Sequence, residues 1–254
     1  MLDTTILAIL QGVAEFLPIS SSGHLVLGKS LLGVEEPGLR LDIFLHVGTL
    51  IAVAAFYWSI IWRILRECDW RYMLKIILSA VPAGVVGLLF KDQLEAAFAS
   101  PRAVGYALLF TGAVLLLTRV LRPGGKAVSF GGALGMGLAQ AVAILPGVSR
   151  SGMTLAAARA AGVEAEKAAE FSFLMSAPPI AGAALLELLK VMKNADPAAA
   201  AAEPSWGMVA YGGLLAAGVG YLALKFLLKA LKSDRFWWFG PYCILAGLLT
   251  VFLI

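Results

Sequence analysis

Long apolar runs alternate with short polar segments along most of the chain. Six of these runs are about as long as a helix that crosses a bilayer, which needs roughly 20 residues. They lie near residues 41–62, 73–90, 103–121, 169–190, 207–230 and 236–254. Each run predicts one transmembrane helix, so the pattern predicts an all-α polytopic membrane protein.

Two further apolar stretches are interrupted by clusters of Pro, Ser and Gly. Residues 2–30 break after Leu17, and residues 128–162 break after Leu145. Each break leaves half-helices of about 8–15 residues, which are too short to cross a bilayer. Because non-helical backbone at membrane depth must be buried in protein or line a cavity, each stretch predicts a re-entrant helix pair.

The two interrupted stretches resemble each other. Both run from Gln through an apolar step to Pro and a Ser/Gly cluster, as QGVAEFLPISSSG at 11–23 and QAVAILPGVSRSG at 140–152. Such self-similarity indicates an internal duplication, with repeat one near 1–121 and repeat two near 128–254 of a single membrane domain, 1–254. Three spans separate the copies, so we expect an inverted repeat whose breaks meet near the midplane.

Composition and charge agree with this layout. Hydrophobic residues make up 60% of the chain and charged residues 14%, against roughly 45–50% and 25% in soluble domains. The net charge of +4 does not indicate nucleic acid, because the basic residues flank apolar runs. The layout puts 13 of the 20 Lys and Arg on one side and 6 on the other. The richer side is predicted to be cytoplasmic, so both termini are predicted to lie outside.

Two other features of the sequence have simpler interpretations. The low-complexity stretch 196–204 predicts an external loop. Cys68 and Cys243 lack the spacing of a metal cluster or a disulfide framework, so we expect two free thiols.

Polar side chains surround the first break. Gln11 and Glu15 are four residues apart and share a helix face, and a carboxylate at membrane depth is usually functional. The alternative is a Gln/Glu pair that hydrogen-bonds a neighbouring helix. Ser21 and His24 share a face of the next half-helix, where they can serve as nucleophile and base or bind an anion. In the structural alternative, a backbone carbonyl holds His24 and the serines cap the helix.

The second break contains Arg150, the only basic residue far from a predicted membrane interface. Ser149, Ser151 and Thr154 surround it. A helix N-terminus with hydroxyls and an arginine fork matches a phosphate or another bulky oxyanion. Alternatively, Arg150 pairs with Glu15 across the repeat interface, which is compatible with a ligand that displaces or joins the pair.

The segments QGVAEFLPISSSGHL and PGVSRSGMT together resemble the two signature regions of the undecaprenyl-diphosphate phosphatase family, the bacitracin-resistance phosphatases of bacterial membranes. The resemblance covers essentially the whole chain, since the EFSFL segment at 170–174 also fits. In that family the first motif has Glu or Gln, then three residues, then Glu. This chain has the Gln form, so position 11 lacks the second carboxylate.

The resemblance implies that one phosphate is removed from the C55 isoprenoid diphosphate with the help of Mg²⁺ or Ca²⁺. This reaction recycles the lipid carrier of cell-wall synthesis in the bacterial inner membrane. The positions that correspond to active-site residues of the family are Glu15, Ser21, His24, Ser149, Arg150 and Thr154.

These residue types suit the implied chemistry. Glu15, with Gln11, would hold the cation on diphosphate oxygens. The predicted phosphoryl-binding residues are Ser22, Ser149, Arg150, Ser151 and Thr154. Attack by Ser21 with His24 as base, by His24 itself, or by water that His24 activates all stay open.

Several alternatives also stay open at the level of the whole protein. A transporter or flippase of a lipid phosphate is the alternative function, because inverted repeats with broken helices are a transporter architecture. The predicted partners are a polyprenyl diphosphate lipid and the membrane, with a homodimer as an open option. Asp42, His46 and Glu170 receive no role from the sequence.

Overall fold

The structure, a computed structural model, describes residues 1–34, 39–121, 124–193 and 204–253. Nearly all of this part is helical, in twelve α-helices: α1 (Leu2–Ala14), α2 (Ser21–Leu32), α3 (Leu39–Phe56), α4 (Trp58–Arg66), α5 (Trp70–Leu89), α6 (Lys91–Phe98), α7 (Pro101–Leu117), α8 (Phe130–Val142), α9 (Arg150–Ala160), α10 (Ala165–Lys193), α11 (Trp206–Lys232) and α12 (Phe239–Leu253). One 3₁₀ turn follows α7 and another precedes α12. Almost all of the predicted external loop, residues 196–203, lies outside the described residues.

The helices confirm an all-α polytopic membrane protein. In the described part, five helices are long and apolar enough to cross a bilayer, and the bent pair α3 and α4 makes a sixth span if it is counted as one. The axes of that pair differ by 71° at a break around Tyr57, so the run at 41–62 is not one straight helix. The short helix α6, with none of its residues buried, is an element that the apolar pattern did not predict.

The four half-helices of the interrupted stretches form near their predicted bounds. The apolar helices α1 and α8 have 13 residues each, which is too short to cross a bilayer. Helix α1 packs against α11, and α8 packs against α5. In the predicted duplication, α8 corresponds to α1, and α5 corresponds to α11. This reciprocal packing is compatible with an inverted repeat of re-entrant pairs, which stays a prediction.

Small residues let the long helices approach closely. A Cβ atom on Gly48 of α3 would lie only 2.1 Å from the Gly213 carbonyl oxygen of α11. A Cβ on Gly247 of α12 would lie 2.7 Å from the Gly105 oxygen of α7. Such contacts are typical of membrane helices, where packing rather than expulsion of water drives association. These close pairs of long helices pack against the half-helices.

The largest buried cluster of apolar side chains lies beside the first break. Phe16 and Phe173 meet edge to face with ring centroids 5.5 Å apart, and both are fully buried. Tyr57, at the bend between α3 and α4, stacks on Phe173. Large aliphatic and aromatic side chains elsewhere on the outer surface are exposed, as expected for helices that face hydrocarbon rather than water.

Candidate active site

The first break is a short irregular segment between α1 and α2. Glu15 follows the last residue of α1, and its backbone N–H still bonds to the Gln11 carbonyl at 2.9 Å. Ser20 then adopts φ 72°, a left-handed conformation that is strained for a residue with a side chain. Its hydroxyl accepts a hydrogen bond from the Gly23 N–H at 3.3 Å. Ser20 is therefore the N-cap that starts α2.

The second break also combines a residue of positive φ with a serine N-cap. Gly147 has φ 94°, which glycine adopts without strain. Ser149 caps α9 by accepting from the Gly152 N–H at 3.1 Å. Thr111 of α7 clamps the break, because its hydroxyl donates to the Gly147 carbonyl at 2.9 Å and accepts from the Ser149 N–H at 3.1 Å.

The two breaks touch each other. A Cβ atom on Gly23 would lie 2.9 Å from the Gly147 Cα, so neither glycine has room for a side chain. The Ser151 hydroxyl donates to the Leu17 carbonyl across the contact at 3.1 Å. The expectation that the two breaks meet is thus met in the structure, and the N-termini of α2 and α9 are brought side by side.

A cavity of about 190 Å³ lies where the two N-termini converge. Its polar lining comes from both breaks and from α3, α8 and α10: Glu15, Ser20, Ser21, Ser22, His46, Gln140, Ser149, Arg150 and Ser176. The first N–H groups of an α-helix have no intrahelical acceptor, and the helix dipole favours negative charge at that end. Two such ends beside one cavity make a site suited to an anion.

A buried ion pair crosses the cavity wall between the two repeats. Arg150 Nη2 donates to Glu15 Oε1 at 2.7 Å, with side chains 15% and 8% exposed. The Ser21 hydroxyl donates to Glu15 Oε2 at 2.6 Å, and Gln11 Nε2 donates to the same oxygen at 3.2 Å. Arg150 Cζ also lies 5.3 Å from the centroid of the Phe173 ring. Arg150 and Ser21 are therefore both held by one carboxylate.

A family model described as "Bacitracin resistance protein BacA" matches residues 4–249 of the chain. The chain belongs to this family. A relative from Desulfatibacillum aliphaticivorans is 44% identical over 97% of this chain and 96% of its own length. Relatives from Desulforapulum autotrophicum (42%, over 97% and 95%) and Rhodopirellula baltica (39%, over 100% and 98%) are similar in extent. All three are named undecaprenyl-diphosphatase, so the resemblance seen in the sequence is confirmed.

Five of the residues singled out from the motifs line the cavity of this BacA-family chain: Glu15, Ser21, Ser22, Ser149 and Arg150. The cavity lining does not include the other four, which are Gln11, His24, Ser151 and Thr154. Ser151 bonds to the first break, and the Thr154 hydroxyl bonds to Ser172 of α10 at 2.6 Å. Gln11 reaches the site through its bond to Glu15. Through these bonds, Ser151, Thr154 and Gln11 connect the segments that surround the cavity.

His24 and Ser21 do not hydrogen-bond to each other. His24 Nδ1 lies 2.8 Å from the Ser20 carbonyl oxygen, and Nε2 lies 2.8 Å from the Tyr242 hydroxyl of α12. Both ring nitrogens therefore have partners other than Ser21, whose hydroxyl donates to Glu15. This arrangement corresponds to the structural alternative for His24, in which a backbone carbonyl holds the ring.

Three polar cavity residues from outside the two breaks received no role in the sequence analysis. His46 lines the cavity, and its Nδ1 lies 2.8 Å from the Asp42 carbonyl oxygen. Ser176 reaches the cavity from α10, six residues after Glu170 of the EFSFL segment. Gln140 lies in the repeat position that corresponds to Gln11, and this equivalence was the one available signal for it. Glu170 itself accepts from the hydroxyl of Tyr72 at 3.0 Å, and it is not among the cavity residues.

Proposed function

We propose that this membrane protein is a phosphatase that hydrolyses undecaprenyl diphosphate to undecaprenyl phosphate and inorganic phosphate. The reaction recycles the lipid carrier of cell-wall synthesis, and a role in bacitracin resistance agrees with the description of the family. The observation that carries the proposal is the convergence of two helix N-termini with Arg150 and Glu15 on one buried cavity. The names of the relatives support the same activity.

A second, apolar cavity adjoins the polar cavity and is suited to the lipid tail. It has a volume of about 600 Å³ and shares His46, Ile144, Pro179 and Ile180 with the polar cavity. The rest of its wall is mostly apolar and includes Phe98 of α6. A lipid diphosphate needs donors for its head and hydrocarbon for its tail. The adjoining cavities offer both, so we assign the apolar one to the first isoprene units.

Ser21 is the nucleophile that the geometry favours. Its Oγ would attack the terminal phosphorus and pass its proton to Glu15 Oε2, 2.6 Å away. The bond between that phosphorus and the bridging oxygen breaks, and undecaprenyl phosphate leaves. Water then attacks the phosphorus of the Ser21 phosphate ester and breaks its bond to Oγ. Glu15 returns its proton to Oγ, which restores the hydroxyl, and inorganic phosphate leaves with the protons of the water. Arg150 and the helix N-termini stabilise the charge on the phosphoryl oxygens.

The donor set also fits a hard cation, which we propose as Mg²⁺ or Ca²⁺. A carboxylate accepts about four hydrogen bonds, and three donors already meet Glu15. Gln11 Oε1 is buried without a partner among the described residues. No cluster of three or more His, Cys, Asp or Glu in this part of the chain could hold a metal alone. Mg²⁺ commonly takes one or two protein ligands and completes its shell with phosphate and water.

Glu15 and Gln11 would thus hold the cation, which would neutralise charge on the diphosphate when bound.

We further propose that the protein lies in the bacterial plasma membrane with both termini outside. In that orientation the apolar cavity, which includes Asp42 and Phe98, opens toward the external half of the membrane, because the basic side of the layout is cytoplasmic.

Phosphate release from undecaprenyl diphosphate by the purified protein in detergent tests the proposed function. Hydrolysis needs no membrane, whereas transport cannot be observed without two compartments. We expect release of one phosphate per lipid. A protein that is folded and binds the lipid but releases no phosphate would contradict the proposal. The transporter alternative is not favoured, because the relatives are named as phosphatases.

A further inference from the structure

Gln140 of α8 is a buried amide that the mechanism above does not use. Its side chain is part of the cavity wall, and the residue is only 4% exposed. Neither Oε1 nor Nε2 has a hydrogen-bond partner among the described residues. Because both atoms lack a partner, exchanging the oxygen and nitrogen of the amide would not change this observation.

An unpartnered amide in such a place needs an explanation. Buried polar groups are almost always hydrogen-bonded, because leaving one without a partner costs the full desolvation of that group. An apolar side chain of similar length would avoid this cost. The amide therefore lowers the stability of the protein unless a group in the cavity hydrogen-bonds to it.

Two further observations indicate which group that is. Arg150 Nη1, in the same cavity wall, is also buried without a partner among the described residues. The N-termini of α2 and α9 point donors at the same space. A ligand that satisfies N–H donors from several directions is rich in acceptors, as phosphoryl oxygens are.

We propose that Gln140 is a substrate-binding residue whose Nε2 donates to the phosphoryl oxygens of the lipid diphosphate. The inference rests on the proposed function and adds a contact from the second repeat. The internal duplication supports it, since Gln140 and Gln11 occupy equivalent positions, and each retains a buried Oε1 without a partner in the described part of the chain. Gln11 thus bonds to the carboxylate of Glu15, and Gln140 would bond to the substrate.

Gln140→Met and Gln140→Glu test the proposal in the full-length protein. Methionine keeps the length of the side chain without hydrogen-bonding groups, and glutamate keeps its shape without donors. We expect Gln140→Met to raise KM for undecaprenyl diphosphate about ten- to hundredfold, the loss expected for one hydrogen bond to a charged group. Gln140→Glu should raise KM further, because its carboxylate repels the phosphate.

Stability separates this role from a structural one. The temperature of unfolding in detergent should be unchanged or higher in Gln140→Met, because the unpartnered amide is gone. Met136→Leu, a fully buried substitution on the same helix, is the control and should leave KM unchanged. Inhibition by inorganic pyrophosphate gives a second measure of binding, and it should weaken in both Gln140 variants.

An unchanged KM or a lower unfolding temperature in Gln140→Met would overturn the proposal. A failure of the proposed function would look different, since the wild-type protein itself would then release no phosphate.

Discussion

Replacing Arg150 by lysine keeps a positive charge in the cavity. It removes the planar guanidinium, whose two terminal nitrogens can donate hydrogen bonds to two different acceptors. Arg150 Nη2 is committed to Glu15 at 2.7 Å, while Nη1 has no partner in the described part of the chain. We expect Nη1 to meet the phosphoryl oxygens. A lysine ammonium is a single point of charge, and next to Glu15 it cannot also occupy the place of Nη1.

The expected cost follows from the loss of that one donor. Removing a single donor to charge that develops in a transition state costs about 2.7–4 kcal/mol, or roughly 10²- to 10³-fold in kcat. The ion pair with Glu15 survives, so the larger penalty of a buried charge without a partner, about 3–5 kcal/mol, does not arise. Arg150→Lys should therefore lose turnover while it stays folded. Phosphate release and thermal unfolding in the same detergent measure the two effects.

Arg159→Lys is the matched control on the same helix. Arg159 pairs with Asp234 at 2.6 Å and donates to the Leu121 carbonyl at 2.8 Å, and it lies outside the polar cavity. Its substitution should leave turnover unchanged. A near-normal kcat in Arg150→Lys would show that Arg150 serves only as the counter-ion of Glu15, and the assignment of Nη1 to the substrate would be wrong.

Three further predictions concern the cation, the nucleophile and the orientation. Glu15→Gln should abolish the dependence of phosphate release on Mg²⁺ concentration and lower thermal stability, because it leaves a buried guanidinium without its counter-charge; an unchanged metal dependence would exclude Glu15 as a ligand. Ser21→Ala should lower kcat by about 10³-fold or more, His24→Gln should cost much less, and rapid quenching with labelled diphosphate should place phosphate on Ser21 in the wild type; label on histidine would refute this. An impermeant thiol reagent added to intact cells should label a cysteine introduced as Gln93→Cys on the exposed, external α6, but it should not label the exposed Cys68 on the cytoplasmic side. The reverse pattern would show that the protein has the opposite orientation.

The breaks and their meeting could be predicted because local chemistry determines them. Pro18 and Gly147 interrupt apolar runs that would otherwise continue as helix, and serines follow at positions where they cap the next half-helix. The odd number of predicted spans between the copies predicts that the two breaks enter from opposite faces, and this inverted arrangement stays a prediction. The repeat boundaries near 121 and 128 and the single domain rest on the same reasoning and stay predictions.

The partners of individual side chains could not be predicted, because tertiary packing decides them. A spacing of three residues puts Ser21 and His24 on one helix face, but the partner of His24 Nε2 is Tyr242, 218 residues away. His46 lines the cavity, and the apolar pattern of α3 alone does not predict which of its residues face a neighbouring helix.

The bend at Tyr57 also lacked a local signal. Sharp kinks usually occur at Pro, at Gly or Ser pairs, or at an inserted group, and the segment Phe56-Tyr57-Trp58 contains none of these residue types. Tyr57 stacks on Phe173, which in turn lies beside Arg150. The bend therefore belongs to the packing that supports the site, and it became visible only in three dimensions.

A double-mutant cycle on Glu15 and Arg150, with kcat/KM for undecaprenyl diphosphate measured in detergent, tests most directly whether the two breaks form one catalytic site. The two side chains contact each other and are assigned to the same phosphoryl group, so their effects should be strongly non-additive. We expect the wild type to release phosphate, Glu15→Gln and Arg150→Lys each to be severely impaired, and the double variant to be scarcely worse than the poorer single variant. Losses that multiply, or a wild type that releases no phosphate, would contradict a shared active site.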